Sequence, residues 1–391
     1  MSGSIDRGST ALRQLARLFL KLGVVAFGGP AAHIAMMEDE IVKRRNWVSH
    51  EHFLDLLGAT NLIPGPNSTE MAIHIGYVRA GWRGLIVAGI CFIFPAVAIT
   101  LILAYLYVAY GALPQVQPFV SGIRPAIIAV ILAAVFRLSK SVVKNPLMVV
   151  LGVLVLIMNL AGFDEILLLL VSGAVGLIWS NRRQLRQAIS STFALLPLLS
   201  VQTFATSVDA QSMSGSATVM GLGLFFLKIG SILYGSGYVL VAFLQAGLVD
   251  TRHWLTQPQL FDAIAVGQFT PGPVLSTATF IGYLILGIPG AAITTIGIFL
   301  PSFVFVLIVS PFIPKVRKSS SASGFLNGVN AASLGLMLAV TVKLATAALS
   351  GIASWFILLL AMVVVIAWNI NTAWIVLGSA ILGWLSSMLR L

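Results

Sequence analysis

The motif Pro-Gly-Pro occurs twice in this chain, at Pro64-Gly65-Pro66 and at Pro271-Gly272-Pro273, 207 residues apart. Each motif ends one apolar stretch and opens another. Proline suits the first turn of a helix, and Asn67, Ser68 and Thr69 after the first motif, like Ser276 and Thr277 after the second, suit a helix cap. A helix N-terminus held away from water presents free N–H groups and about half a positive charge, which together attract an anion. Two such ends at equivalent positions, approaching from opposite faces, can share one ligand. Two helix kinks without a ligand are the alternative.

Four cations stand inside apolar stretches. Lys21 and Lys228 are equivalents, Arg124 in Gly122-Ile123-Arg124-Pro125 aligns with Asn330, and Lys343 aligns with Arg137. A charge within a membrane is expensive and by default functional, and Arg suits planar contacts to an oxyanion. Snorkelling towards a segment end is the alternative for Lys343 and Lys21. Glu70 and His74 lie one helical turn apart, where the second copy has Thr277 and Ile281, or Ser276 and Phe280. A Glu–His pair at depth can relay protons; a pair on the cytoplasmic side with no role is the alternative. A second break, Phe27-Gly28-Gly29-Pro30 opposite Tyr234-Gly235-Ser236-Gly237, allows close approach of backbone to substrate or simple packing through small residues. His33, with Glu38, Asp39 and Glu40 further along, is expected at the surface rather than on a metal.

These residues need elements to hold them, and composition limits what those are. Of 391 residues 58 % are hydrophobic and 9 % charged, and mean hydropathy is +1.00. Soluble chains carry about 25 % charged residues. A soluble enzyme, a nucleic-acid binder and a disordered chain are therefore excluded, and the net charge of +11 is read first as a topology signal. The single cysteine, Cys91, rules out an internal disulfide and a cysteine metal cluster. No P-loop or hydrolase motif occurs in proper context, so neither an enzyme nor a cofactor is expected. Segment 11–27 is read as retained rather than cleaved.

The motifs belong to a larger repeat. Phe19-Leu20-Lys21-Leu22-Gly23 recurs as Phe226-Leu227-Lys228-Ile229-Gly230, Trp47 as Trp254 and Asp55 as Asp262; after one lost residue Ile75-Gly76-Tyr77 recurs as Ile281-Gly282-Tyr283 and Pro95 as Pro301. The expected units are 11–181 and 219–389, joined by a linker, 182–218, that holds an extra membrane helix at 188–207. Each copy ends in four apolar segments: 84–110, 117–138, 146–161 and 165–181, then 289–313, 325–349, 352–369 and 372–389. Spanning a bilayer takes about 20 residues. Each copy begins with shorter pieces, in the first 11–27, 31–45, 50–63 and 67–79, which fit broken or re-entrant helices. With a cytoplasmic N-terminus, seventeen of the 23 Lys and Arg residues face the cytoplasm, as the positive-inside rule asks. Segment 84–110 then runs outward and 289–313 inward. The expected fold is all-α, a polytopic helical membrane protein of two inverted repeats. A rival count of five spans per copy also inverts them but places the N-terminus outside.

Phe27-Gly28-Gly29-Pro30, Trp47, Leu62-Ile63-Pro64-Gly65-Pro66-Asn67 and Ile75-Gly76-Tyr77 resemble the chromate ion transporter family, and the doubled architecture is similar to its long-chain, two-domain members. The resemblance implies gradient-driven chromate efflux across a prokaryotic cytoplasmic membrane, with sulfate as the look-alike anion and chromate resistance as the outcome. The second copy departs from it at Tyr234-Gly235-Ser236-Gly237. The expected substrate contacts are Arg124, Asn330, Lys21, Lys228, Gly28, Gly29, the residues 64–69 and 271–273, and Ser276, with Glu70 and His74 as proton-coupling candidates. The expected partners are a chromate- or sulfate-like oxyanion and membrane lipid, with no nucleic acid; a homodimer is left open. A sulfate carrier, a passive anion channel and, more distantly, a membrane enzyme acting on lipid stay as rivals.

Overall fold

The computed structural model describes residues 2–27, 29–111, 113, 116–142, 145–182, 216–234, 237–310, 320–349, 351–368 and 370–388. Gly28, Gly235, Ser236 and the expected linker helix at 188–207 lie outside the described residues. Among those described are fourteen α-helices and no strand, the all-α fold that composition asked for. The first copy holds α1 (Ser2–Val25), α2 (Gly29–Glu38) with a π-helical turn (Asp39–Arg44), α3 (His50–Thr60), α4 (Asn67–Tyr110), α5 (Gln117–Val142), α6 (Pro146–Leu160) and α7 (Glu165–Ser180). The second holds α8 (Val219–Ile232), α9 (Leu240–Leu244) with its own π turn (Gln245–Thr251), α10 (Gln257–Phe269), α11 (Thr277–Val309), α12 (Ser320–Ala348), α13 (Ile352–Trp368) and α14 (Thr372–Met388).

Local chemistry sets many of these ends. Asn145 caps α6 with Pro146 in its first turn, Asp164 caps α7, Thr218 caps α8, and Thr256 with Gln259 forms a capping box on α10, each satisfying first-turn N–H groups. Four helices, Asn67–Tyr110, Gln117–Lys140, Val274–Val309 and Ser321–Ala348, are long and apolar enough to cross a membrane. Ile352, Phe356, Trp368 and Trp374 are each more than half exposed. Lipid is the solvent that such a surface fits.

A straight α4 of 44 residues would run about 66 Å, twice the ~30 Å hydrocarbon core. It does not run straight. At Ala80–Gly81 the chain leaves helical geometry, with Gly81 at φ +61°, and folds back so that Gly76 abuts Gly84. Leu286–Gly287 repeats the reversal in α11, with Gly287 at φ +62° and Gly282 against Gly290. Only glycine takes that conformation readily. Each is therefore a helical hairpin with a short arm, from 67 or 277, and a long arm.

The copies interlock. α1 packs on the long arm of α4 through Gly23, and α8 on that of α11 through Gly230. The two long arms pack on each other in opposite directions: Leu85 clusters with Val306, Gly89 abuts the Phe303 ring and Ile93 clusters with Phe299. Ile93 and Phe299 are themselves repeat equivalents. The last helices are exchanged. α13 and α14 of the second copy pack on α5, and α6 and α7 of the first pack on α12. Gly122 meets Ser379 and Gly383, just as Gly328 meets Ser172 and Gly176, and small residues of this kind let membrane helices approach closely.

Candidate functional site

The two Pro-Gly-Pro motifs are stitched across the copies. Gly65 N–H donates to the Leu233 carbonyl, just past the end of α8, at 2.7 Å, and Gly272 N–H donates to the Ala26 carbonyl, just past α1, at 2.9 Å. Both glycines have positive φ, +142° and +90°. A helix end leaves carbonyls unpaired, and at each break the other copy's motif supplies a donor. The two kinds of break therefore meet, each in the other copy.

The caps differ from expectation. The N-cap of α4 is Pro66, and no side chain caps it; Pro273 heads a 3₁₀ turn (Val274–Ser276) before α11, again uncapped. That turn takes up the residue lost in the second copy. Asn67 instead donates to Asn61 at 2.7 Å. Ser68, Thr69 and Ser276 are buried, and the hydroxyls of Thr69 and Ser276 have no hydrogen-bond partner within the protein. Pro64 and Pro271 precede the stitched glycines, and Gly29 (φ +80°) opens α2.

Glu70 is fully buried in the first turn of α4, and neither of its oxygens has a hydrogen-bond partner within the protein. A side chain at Gly65 would strike both Glu70 Oε1 and Ser302 Oγ, so these groups crowd one point. His74, also fully buried, pairs through Nδ1 with Ser310 Oγ at 3.1 Å and leaves Nε2 unpartnered. Both residues lie on the short arm of α4.

Arg124, half-buried on α5, has no partner for Nε. Its charge acts on Asp262 of α10, which accepts a 2.6 Å bond from Tyr107 of α4. Asn330 is half-buried on α12. Lys21 and Lys228 are exposed, and Lys21 Nζ lies 2.8 Å from Glu40 Oε1. Arg44 and Arg45 each approach the same carboxylate to 3.3 Å. The Lys21 hydrogen bond holds the Glu40 carboxyl below the usual range. Burial pulls the other way, and the charges of Lys21, Arg45 and Arg44 add to the lowering.

His33, expected at the surface, is buried, with Nε2 2.9 Å from the Ala26 carbonyl and its ring edge-on to Phe92. His33 stands one turn before buried Met37 on the inward side of α2, and Glu40, one of the acidic residues further along, is buried as well. The Ala26 carbonyl thus accepts Gly272 and faces His33. Sequence reasoning gave no role to Asp262, Tyr107 or Ser302. Asp262 carried a signal, an acid kept in both copies inside apolar sequence, and Ser302 carried another, a hydroxyl where the first copy has Ala96. Tyr107 carried none. A groove of about 530 Å³ between the long arms, lined by Trp82, Ile90, Phe94, Ile296 and Leu300 among others, is apolar and offers a dianion nothing.

The family model described as chromate transporter matches residues 13–177 and again 220–384. The chromate transport protein of Cupriavidus metallidurans is 32 % identical over 387 residues, 98 % of this chain and 95 % of the relative. A probable chromate transport protein of Synechococcus elongatus is 32 % identical, covering 90 % and 89 %, and the chromate transport protein of Pseudomonas aeruginosa is 29 % identical, covering 95 % and 92 %. No solved structure matches. Two family matches that fall on the two copies, and relatives aligned almost end to end, make this chain a member of the chromate transporter family.

Proposed function

We propose that this chain is a secondary transporter that exports chromate through a multi-pass fold in the prokaryotic cytoplasmic membrane. The observation that carries the reading is the reciprocal stitching of Gly65 to Leu233 and Gly272 to Ala26. It draws two uncapped helix starts and two helix ends into one interlocked unit. Uncapped first turns offer N–H donors and positive potential to an oxyanion, and Arg124 adds a full charge. The family relatives' names support chromate as the anion.

The two copies are inverted in this reading. Equivalent long arms pack antiparallel, Leu85 clustering with Val306 and Gly89 abutting Phe303, with the equivalent residues Ile93 and Phe299 lining one groove between them, so the two-fold axis lies across the helices and, for spanning helices, in the membrane plane. An inside-negative potential then drives export: at ~2.3 kcal/mol per charge per 100 mV, a dianion gains roughly 4.6 kcal/mol.

Uptake of labelled chromate into inverted vesicles tests the function. Uptake should follow an imposed potential and saturate with chromate, and excess sulfate should leave most of it; flux that never saturates would favour a channel instead. Cysteines at Phe163 and Ile370, each just before the last helix of its copy, in a background without Cys91, should be labelled from opposite faces. Labelling from one face at both would end the inverted reading.

A further inference from the structure

The repeat gives most positions in one half an aligned counterpart in the other, so a difference between counterparts is chemistry that one half does not need. Around the first Pro-Gly-Pro such differences gather. Glu70, His74, Ser302, Ser310 and Tyr234 correspond to Ser276, Phe280, Ala96, Ala104 and Phe27. They come from three places, the short arm of α4, the end of α11 and the loop after α8, yet converge. Glu70 and Ser302 crowd Gly65, Tyr234 lies within electrostatic reach of Glu70, and His74 bonds Ser310. The order runs the same way along both helices: Glu70 beside Ser302, then Ile73 clustered with Val306, then His74 beside Ser310. The row begins fully buried at Glu70 and ends at half-buried Ser310, at the terminus of α11. The counterpart row around Gly272 has hydroxyls, Thr100 bonded to Thr270 and Thr277 bonded to Val274, and His33 tethered to Ala26, but among the described residues no carboxylate.

We propose that Glu70, Ser302, His74 and Ser310 form a proton lane at the first Pro-Gly-Pro only, built between α4 of the first copy and α11 of the second, opening at the α11 end on the cytoplasmic face, with Tyr234 closing its inner end. The proposal rests on the transport reading above and adds how that transporter senses protons. A proton taken from water near Ser310 binds the His74 imidazole. It passes to a Glu70 oxygen, making a neutral carboxylic acid, and leaves by the same atoms. Glu70 and His74 sit one turn apart, about 5–6 Å between their β-carbons, a gap one water bridges. Among the described residues no charged side chain hydrogen-bonds or ion-pairs with either group. The titratable groups facing them from the packed elements are Tyr234 and, in the cluster of Ile73 and Val306, Tyr77. An ionised Glu70 at the start of α4 repels a dianion there, and a neutral one does not, so proton occupancy sets anion binding.

The repeat supplies its own control variants. Glu70→Ser, His74→Phe, Ser302→Ala and Ser310→Ala each install the residue that the other half carries at the aligned position. In proteoliposomes of the full chain, chromate flux should rise as the pH at the α11 face falls. Glu70→Ser should flatten that profile, and His74→Phe should slow the response to a pH jump about tenfold while leaving steady flux at acid pH within about twofold. Infrared difference spectra of the reconstituted protein between acid and alkaline pH should show a carboxylic-acid band that Glu70→Gln removes. A missing band, a profile unchanged in Glu70→Ser and His74→Phe, or a response to Na⁺ in place of pH would overturn the lane. A band present without chromate flux in the unsubstituted protein would keep the lane and reject the transport reading.

Discussion

Around Gly65 the chain gathers Glu70, Ser302 and Tyr234; around Gly272 the same scaffold carries Ser276, Ala96 and Phe27, with His33 held to the Ala26 carbonyl beside it. The backbone is common to both, down to the stitched glycine N–H and the hairpin glycines at φ +61° and +62°. The repeat therefore conserves geometry and spends its divergence on polarity. Around Gly65 stands the buried carboxylate of Glu70; around Gly272, among the described residues, stand donors and hydroxyls. An oxyanion fits the second kind of site, and a proton fits the first.

The largest effect expected lies where the halves differ in full charge. Arg124 has Asn330 as its counterpart, so the second copy cannot stand in for it. Arg124→Gln removes charge-assisted contacts worth roughly 2–3 kcal/mol, about a hundredfold in anion affinity. Chromate flux should fall to background while the protein stays in the membrane. Near-normal flux would place the anion away from α5 and return Arg124 to Asp262 as a structural partner.

Next come the two glycines. Gly65→Ala adds a β-carbon that strikes Glu70 and Ser302 at φ +142°, whereas Gly272→Ala meets the Ala96 β-carbon at 3.0 Å at φ +90°. Strain and overpacking of this kind are worth about 1–3 kcal/mol each. Both variants should lower the thermal midpoint in detergent. Only Gly65→Ala should also disturb the pH dependence of transport, because only there do polar side chains take the blow. Equal effects on pH dependence would erase the distinction between the halves.

A smaller effect is expected at the junction of α4 and α10. Tyr107→Phe removes the 2.6 Å bond to Asp262, a hydrogen bond to a carboxylate worth about 1.5–3 kcal/mol at most. Freed from Tyr107, Asp262 should turn to Arg124 and compete with the anion, raising the chromate concentration for half-maximal flux more than it lowers maximal flux. Asp262→Asn in the same background should reverse that rise. Failure to reverse it would separate Asp262 from Arg124.

Much of this architecture is legible in the sequence because it is local. Apolar runs, caps and Gly/Pro breaks put most helix ends within a few residues: 146–161 against Pro146–Leu160, 165–181 against Glu165–Ser180, 352–369 against Ile352–Trp368. The split between 67–79 and the next segment became a hairpin turn at Gly81, and the doubled motifs gave the repeat. What joins distant residues left no local mark. Nothing in the periodicity of α13 or α14 says that they pack on α5 of the other copy, and nothing in Leu233 marks it as the acceptor for Gly65. His33 differs for a related reason: its acidic neighbours suggest a solvated face, but it stands one turn before buried Met37 on the inward side of α2. Of the site, the residues at the breaks were legible, while Tyr107 and the Ser302–Glu70 contact depend on folds that bring residues more than 150 positions apart together.

The smallest effect concerns α1 and α8, where Lys21 has Glu40 and the counterpart position to Glu40 is Gly247. Glu40 lies in a charged turn outside the spanning helices, and its carboxyl is held below the ordinary range chiefly by Lys21. A depressed carboxylate stabilises the fold above its unfolded value, about 4.3, and that contribution is lost as pH falls through the lower folded value. Lys21 is more than half exposed, so solvent and salt screen the pair and its share is about 0–1 kcal/mol. Lys21→Ala should therefore lower the thermal midpoint slightly at pH 7, less in high salt, and the gap to the unsubstituted protein should close as pH drops below about 4. Arg44 and Arg45 stay on the carboxylate in that variant, which limits the loss further. Chromate flux should hardly change, since the charge is already matched within the first copy. A large loss of flux in Lys21→Ala with an unchanged midpoint would move Lys21 from the scaffold to the substrate path.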